Sequence, residues 1–67
     1  MTLAEKIYQA RKKAGLSQEA LADALGVTRQ AVSKWETGKS APRSDKLPLL
    51  AQVLGVEVGQ LYTQHTN

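Results

Sequence analysis

The stretch SQEALADALGVTRQAVSKWETGK, Ser17 to Lys39, carries two short helical patterns separated by a glycine. In the first, Ser17 is an N-cap residue whose hydroxyl can accept a bond from an unpaired amide of the opening turn. Leu16 before it and Leu21 after it stand where a hydrophobic staple forms, and Leu21, Ala22 and Leu25 share one face. Gly26 supplies a left-handed stop. Thr28 caps the second pattern, Val27 and Val32 repeat the staple, and Gly38 closes it. The connection Leu25-Gly-Val-Thr28 is short and contains glycine, which is how two helices are held at a steep angle in a helix-turn-helix.

The second pattern holds the chain's one tryptophan among polar residues. At about 100° per residue, Arg29, Ser33, Thr37, Gln30 and Lys34 fall within an arc of about 140°. Ala31, Val32 and Trp35 fall opposite. Trp35 is therefore the anchor that fixes this helix on the core, and a polar face is left turned outward. Any surface helix has a polar face, but this one carries no carboxylate: Glu36, the helix's one acid, lies at its margin beside Val32. From Arg29 to Arg43 the basic residues are Arg29, Lys34, Lys39 and Arg43. Arginine donates in bidentate fashion to guanine, glutamine can donate and accept with adenine, and lysine reaches guanine or phosphate. These residue types on one face suit the edges of bases better than bulk water.

The flanks read as further helices. Thr2-Leu-Ala-Glu5 is a capping box, followed by Leu3, Ile7, Ala10 and Ala14 at helical spacing and a stop at Gly15. After Gly38 comes a loop, Lys39-Ser-Ala-Pro-Arg43. A fourth helix is expected from Ser44 or Asp45, carrying Leu47, Leu50, Ala51 and Leu54, with Pro48 tolerated near its first turn. A short fifth helix from about Glu57 would present Val58, Leu61 and Tyr62, although glutamate caps poorly and Gly59 costs about 1 kcal/mol against alanine. The expectation is an all-α chain of five short helices, one domain over residues 1–67, with the helix-turn-helix at about 17–37.

Composition excludes several classes. At 67 residues the chain is near the lower limit for folding on a hydrophobic core alone. It has no cysteine, and its one histidine, His65, is read as solvated, so neither a zinc centre nor histidine-based catalysis is expected. No cofactor and no small-molecule effector site is suggested. No apolar run is long enough to span a membrane, no signal segment is recognisable, and a cytoplasmic location fits best. The net charge of +3 and pI of about 9.5 fit an anionic partner where the charge is clustered. Lys12 and Lys13 beside Arg11 read as a solvated helix end favoured by the macrodipole. Glu19 and Asp23 resemble a catalytic carboxylate pair only in composition, so an enzyme is not expected.

Ser17 to Lys39 also resembles the helix-turn-helix of the phage-repressor and Cro-like family, the xenobiotic response element family. The likeness covers roughly residues 3 to 62. It rests on Ala22, the turn glycine Gly26, the anchors Val32 and Trp35, and the exit Glu36-Thr-Gly-Lys39. It implies a compact, lambda-repressor-like five-helix domain whose recognition helix, Thr28 to Thr37, lies in the major groove of double-stranded DNA. Arg29, Gln30 and Lys34 would then contact bases and Ser33 would face the groove. Thr28 would lie near a phosphate. Gln18 would reach phosphate from a helix N-terminus, where anions are favoured, and would brace the recognition residues. Lys39, Ser40 and Arg43 would track the backbone, and Arg11 and Glu36 would form a partly buried structural ion pair. Glu57 and Gly59 depart from the pattern near the C-terminus, where relatives often dimerise.

The function so implied is a sequence-specific transcriptional regulator, a repressor or controller-type protein acting as a homodimer on a pseudo-palindromic operator. Val56, Val58, Leu61 and Tyr62 are the expected dimer interface. The alternative is an antitoxin or other interaction module whose main partner is a polypeptide.

Overall fold

Thr2, Ser17 and Thr28 each cap a helix, and the caps fix where the first three helices start. The computed structural model describes residues 1–62, the side chain of Tyr62 excepted, and His65 lies outside them. Thr2 Oγ1 accepts the Glu5 amide at 3.2 Å while Glu5 Oε1 accepts the Thr2 amide at 2.9 Å, which closes the capping box of α1, Leu3–Lys13. Ser17 Oγ accepts from the Ala20 amide at 3.0 Å at the head of α2, Gln18–Leu25. Thr28 Oγ1 accepts from the Ala31 amide at 3.1 Å at the head of α3, Arg29–Thr37. Between α2 and α3, Gly26 adopts φ +71° with open space where a Cβ would stand. A side chain there would be opposed by backbone strain and not by a neighbour.

The staples direct their residues inward. Ile7, Leu21, Val32 and Leu50 are the largest fully enclosed side chains, and Leu16 and Val27 pack against the same cluster. Each such burial contributes about 1.5–3 kcal/mol. Helix α3 packs on both α1 and α2, so the outward face of α3 is set by two neighbours rather than one.

Three sequence expectations are refined. Ala14 is exposed because α1 ends at Lys13, and the inward position one turn after Ile7 is taken by Arg11. The fourth helix does not begin at Ser44 or Asp45 as α-helix. Pro48 has no N–H to return to the Ser44 carbonyl, which instead accepts the Leu47 amide three residues on. The result is a 3-10 turn, Ser44–Lys46, leading into α4, Leu47–Leu54, whose Leu47, Leu50, Ala51 and Leu54 are buried. The last helix, α5, spans Val58–Tyr62. The Glu57 amide before it is met by Gln60 Oε1 at 3.0 Å, so the carboxylate is not needed as a cap. Lys6 Nζ donates to the Gln60 carbonyl at 2.9 Å and ties α5 to α1.

Candidate nucleic-acid interface

Trp35 is 6% exposed and Val32 fully buried, and together they seat α3 with its polar side out. Arg29, Gln30, Lys34 and Thr37 are exposed and Ser33 is half-buried. With Lys39 from the following loop, these five line one shallow concavity of about 250 Å³. Three of its six side chains are cationic and none is acidic. The sequence-predicted base-contacting set is thus assembled in one place, with Lys39 joined to it.

Glu36, the helix's acid, is withdrawn from this surface. Its side chain is only 3% exposed, against 9% for Arg11, and the two form a two-bond pair: Arg11 Nε donates to Oε2 at 2.5 Å and Nη2 to Oε1 at 3.1 Å. Arg11 Nη1 also donates to the Leu16 carbonyl at 2.6 Å, and the guanidinium lies 5.5 Å from the Tyr8 ring centre. The bond to Glu36 raises the Arg11 pKa further, outweighing the opposing effect of burial, so the cation persists throughout the physiological range. Glu36 Oε1 accepts from Gln18 Nε2 at 3.0 Å, and Gln18 Oε1 accepts from Arg29 at 3.4 Å. A continuous chain of bonds therefore runs from α1 through the floor of α3 and the head of α2 to the first residue of the outer face.

The remaining candidates divide. Thr28 is exposed at the head of α3, and its hydroxyl accepts the cap bond while keeping its own proton to donate. Ser40 is exposed but lines a different depression, between the start of α1 and the exit of α3. Arg43 pairs with Asp45 at 3.6 Å on an open surface, an interaction worth little. Of the four residues expected at a dimer interface, Leu61 is 3% exposed and belongs to the chain's own core, so it offers no surface to a partner. Val56 and Val58 are half-buried against that core, and the Tyr62 side chain lies outside the described residues.

Some contacts escaped the sequence reading. Lys46 Nζ reaches back to the Leu25 carbonyl at 3.1 Å and satisfies the end of α2, a bond between residues too far apart for any local pattern to reveal. The Tyr8 ring lies beside both Arg11 and Lys12. Glu19 and Asp23 are exposed, as are Lys12 and Lys13. Among the described residues no cluster of three or more His, Asp or Glu could hold a metal ion, and no helix is long and apolar enough to cross a membrane.

Known proteins share this arrangement. A helix-turn-helix family model matches residues 7–61. The chain is 39% identical over 61 residues to the HTH-type transcriptional activator BcrR of Enterococcus faecalis, covering 91% of this chain and 30% of that protein. It is 43% identical over 65 residues to the 26 kDa repressor protein of Escherichia phage HK022, covering 91% of this chain and 28% of that one. The chain thus spans about a third of the length of these two relatives. Among solved structures, the P22 c2 repressor in complex with a synthetic operator superimposes with a TM-score of 0.85 at 31% identity, covering 91% of this chain and 92% of that one. The same fold recurs within hydroxypropylphosphonic acid epoxidase from S. wedmorenis, with a TM-score of 0.80 and 33% identity over 88% of this chain but 31% of the enzyme. With the family model covering most of its length and every helix in place, the chain belongs to the phage-repressor and Cro-like helix-turn-helix family.

Proposed function

We propose that this chain is a single DNA-binding domain, residues 1–67, of a sequence-specific transcriptional regulator that inserts α3 into the major groove. One observation carries the reading: α3 turns Arg29, Gln30, Ser33 and Lys34 outward around one concavity while burying its only carboxylate. The P22 c2 repressor's operator complex and the regulatory names of the relatives support it. In this role Arg29, Gln30 and Lys34 read base edges, and Ser33 faces the groove. Gln18, Thr28, Lys39, Ser40 and Arg43 meet phosphates, which fix register but carry no sequence information. The likeness to the epoxidase is one of fold and brings no reaction to this chain. A regulator of this kind works in the cytoplasm.

Two substitutions separate reading from docking. Arg29→Ala should cost about 1–3 kcal/mol on the preferred duplex and relax preference at one base position. Lys39→Ala should weaken all duplexes alike and flatten the plot of log affinity against log salt by about one unit. Titrations of labelled duplexes at several salt concentrations measure both. Equal losses for Arg29→Ala on preferred and random duplexes would remove it from the base-reading set.

The regulator acts as a homodimer in this proposal, since one recognition helix covers only a few base pairs and two are set about 34 Å apart to meet successive grooves. Val56 and Val58, with Tyr62, are the proposed contact, away from Arg29 and Lys34. Val58→Asp is expected to give a folded monomer with weakened DNA binding, read by sedimentation beside a melting curve. A wild-type chain that stays monomeric both free and on a two-half-site duplex would contradict the dimer.

A further inference from the structure

We infer that Glu36 is a positioning residue for base recognition, acting through the Gln18 amide on Arg29; the inference rests on the DNA-reading role proposed for α3. A carboxylate only accepts hydrogen bonds. Glu36 Oε1 therefore draws the Nε2 end of the Gln18 amide toward itself, and the 3.0 Å bond fixes which way that amide faces. The amide's oxygen is thereby turned outward, to the guanidinium of Arg29 at 3.4 Å. Glu36 is held in turn by two bonds from the buried Arg11, so the first link cannot swing.

The direction of the relay matters. A buried negative charge is transmitted, through one rigid amide, as an acceptor that the neighbouring side chain presents to Arg29. That acceptor engages one donor of Arg29 and leaves the remaining N–H groups of its guanidinium for a guanine edge. Arg29 is exposed and long, and an unheld side chain of this kind loses rotamer freedom when it binds. Holding it beforehand reduces that loss on the matching base. The ion pair thus has a second consequence beyond stability: without Glu36 the Gln18 amide loses the partner that sets its direction. Gln18 keeps a second N–H for phosphate, so bracing and docking do not compete.

The test uses a randomised duplex library, bound and sequenced, to give the base preference at each position for four proteins: the wild type, Arg29→Ala, Gln18→Met, and the double variant Arg11→Met/Glu36→Met. Arg29→Ala identifies the position that Arg29 reads. At that position Gln18→Met is expected to lower discrimination by about two- to tenfold, the scale of one unrestrained long side chain. Positions read by Gln30 and Lys34 should keep their preferences. The double variant should relax the same position although neither replaced residue faces the DNA. A role in stability alone, or a phosphate contact by Gln18 alone, lowers binding uniformly and leaves the preferences unmoved; that outcome overturns the relay. Should the double variant fail to fold, Glu36→Gln takes its place, since a neutral amide there no longer dictates which end of the Gln18 amide faces it; unmoved preference at the Arg29 position in that variant or in Gln18→Met overturns the relay. Enrichment of no sequence by the wild type would instead remove the proposed function on which the relay stands.

Discussion

Arg11→Met is expected to destabilise the fold by about 3–5 kcal/mol, because it leaves the Glu36 carboxylate buried without its counter-charge. A domain of this size has about 3–10 kcal/mol of stability in total, so the variant should be largely unfolded under conditions where the wild type is folded. Arg11 also satisfies the Leu16 carbonyl, and that acceptor would be left without this donor. Arg11→Met/Glu36→Met should be milder, since an apolar pair of similar volume removes both charges together. Urea denaturation of the three proteins measures the difference. A single variant with the wild-type midpoint would show that the pair contributes nothing to the fold.

The second large effect is expected at Trp35. Truncation to alanine removes the side chain that seats α3 and should cost about 3–5 kcal/mol, with loss of binding wherever the chain remains folded. Trp35→Phe retains an aromatic body and should keep the fold with a smaller loss. Thermal melts followed by circular dichroism distinguish them. An alanine variant melting within a few degrees of the wild type would mean that α3 is held in place by Val32 and its neighbours without Trp35.

What could be read from sequence follows the range of the interaction. The caps at Thr2, Ser17 and Thr28 and the stops at Gly26 and Gly38 act within three or four residues, so each is visible in a short window. The wheel that sends Trp35 inward and Arg29 outward is equally local. The 3-10 turn before α4 needed one further step, the consequence of Pro48 for the Ser44 carbonyl. Lys46 on Leu25, Arg11 on Glu36 and Gln18 on Glu36 join residues far apart in the chain, and periodicity is silent about them. The second, and a bracing contact from Gln18 to a recognition residue, were anticipated by likeness to a family; the bond from Gln18 to Glu36 was not. Leu61 was misplaced for a related reason. Its hydrophobic character is evident, but whether a small chain spends such a residue on itself or on a partner depends on how α5 lies against α1.

Whether α3 reads DNA sequence is decided by equilibrium binding. The duplex enriched from a randomised library and a scrambled duplex of the same composition are each titrated with the full chain over a range of salt concentrations. The enriched duplex should bind tighter by on the order of 10³, and log affinity for both should fall linearly with log salt, by about 0.9 for each phosphate neutralised. Equal affinity for the two duplexes, or binding that hardly changes with salt, would show that α3 does not read DNA sequence.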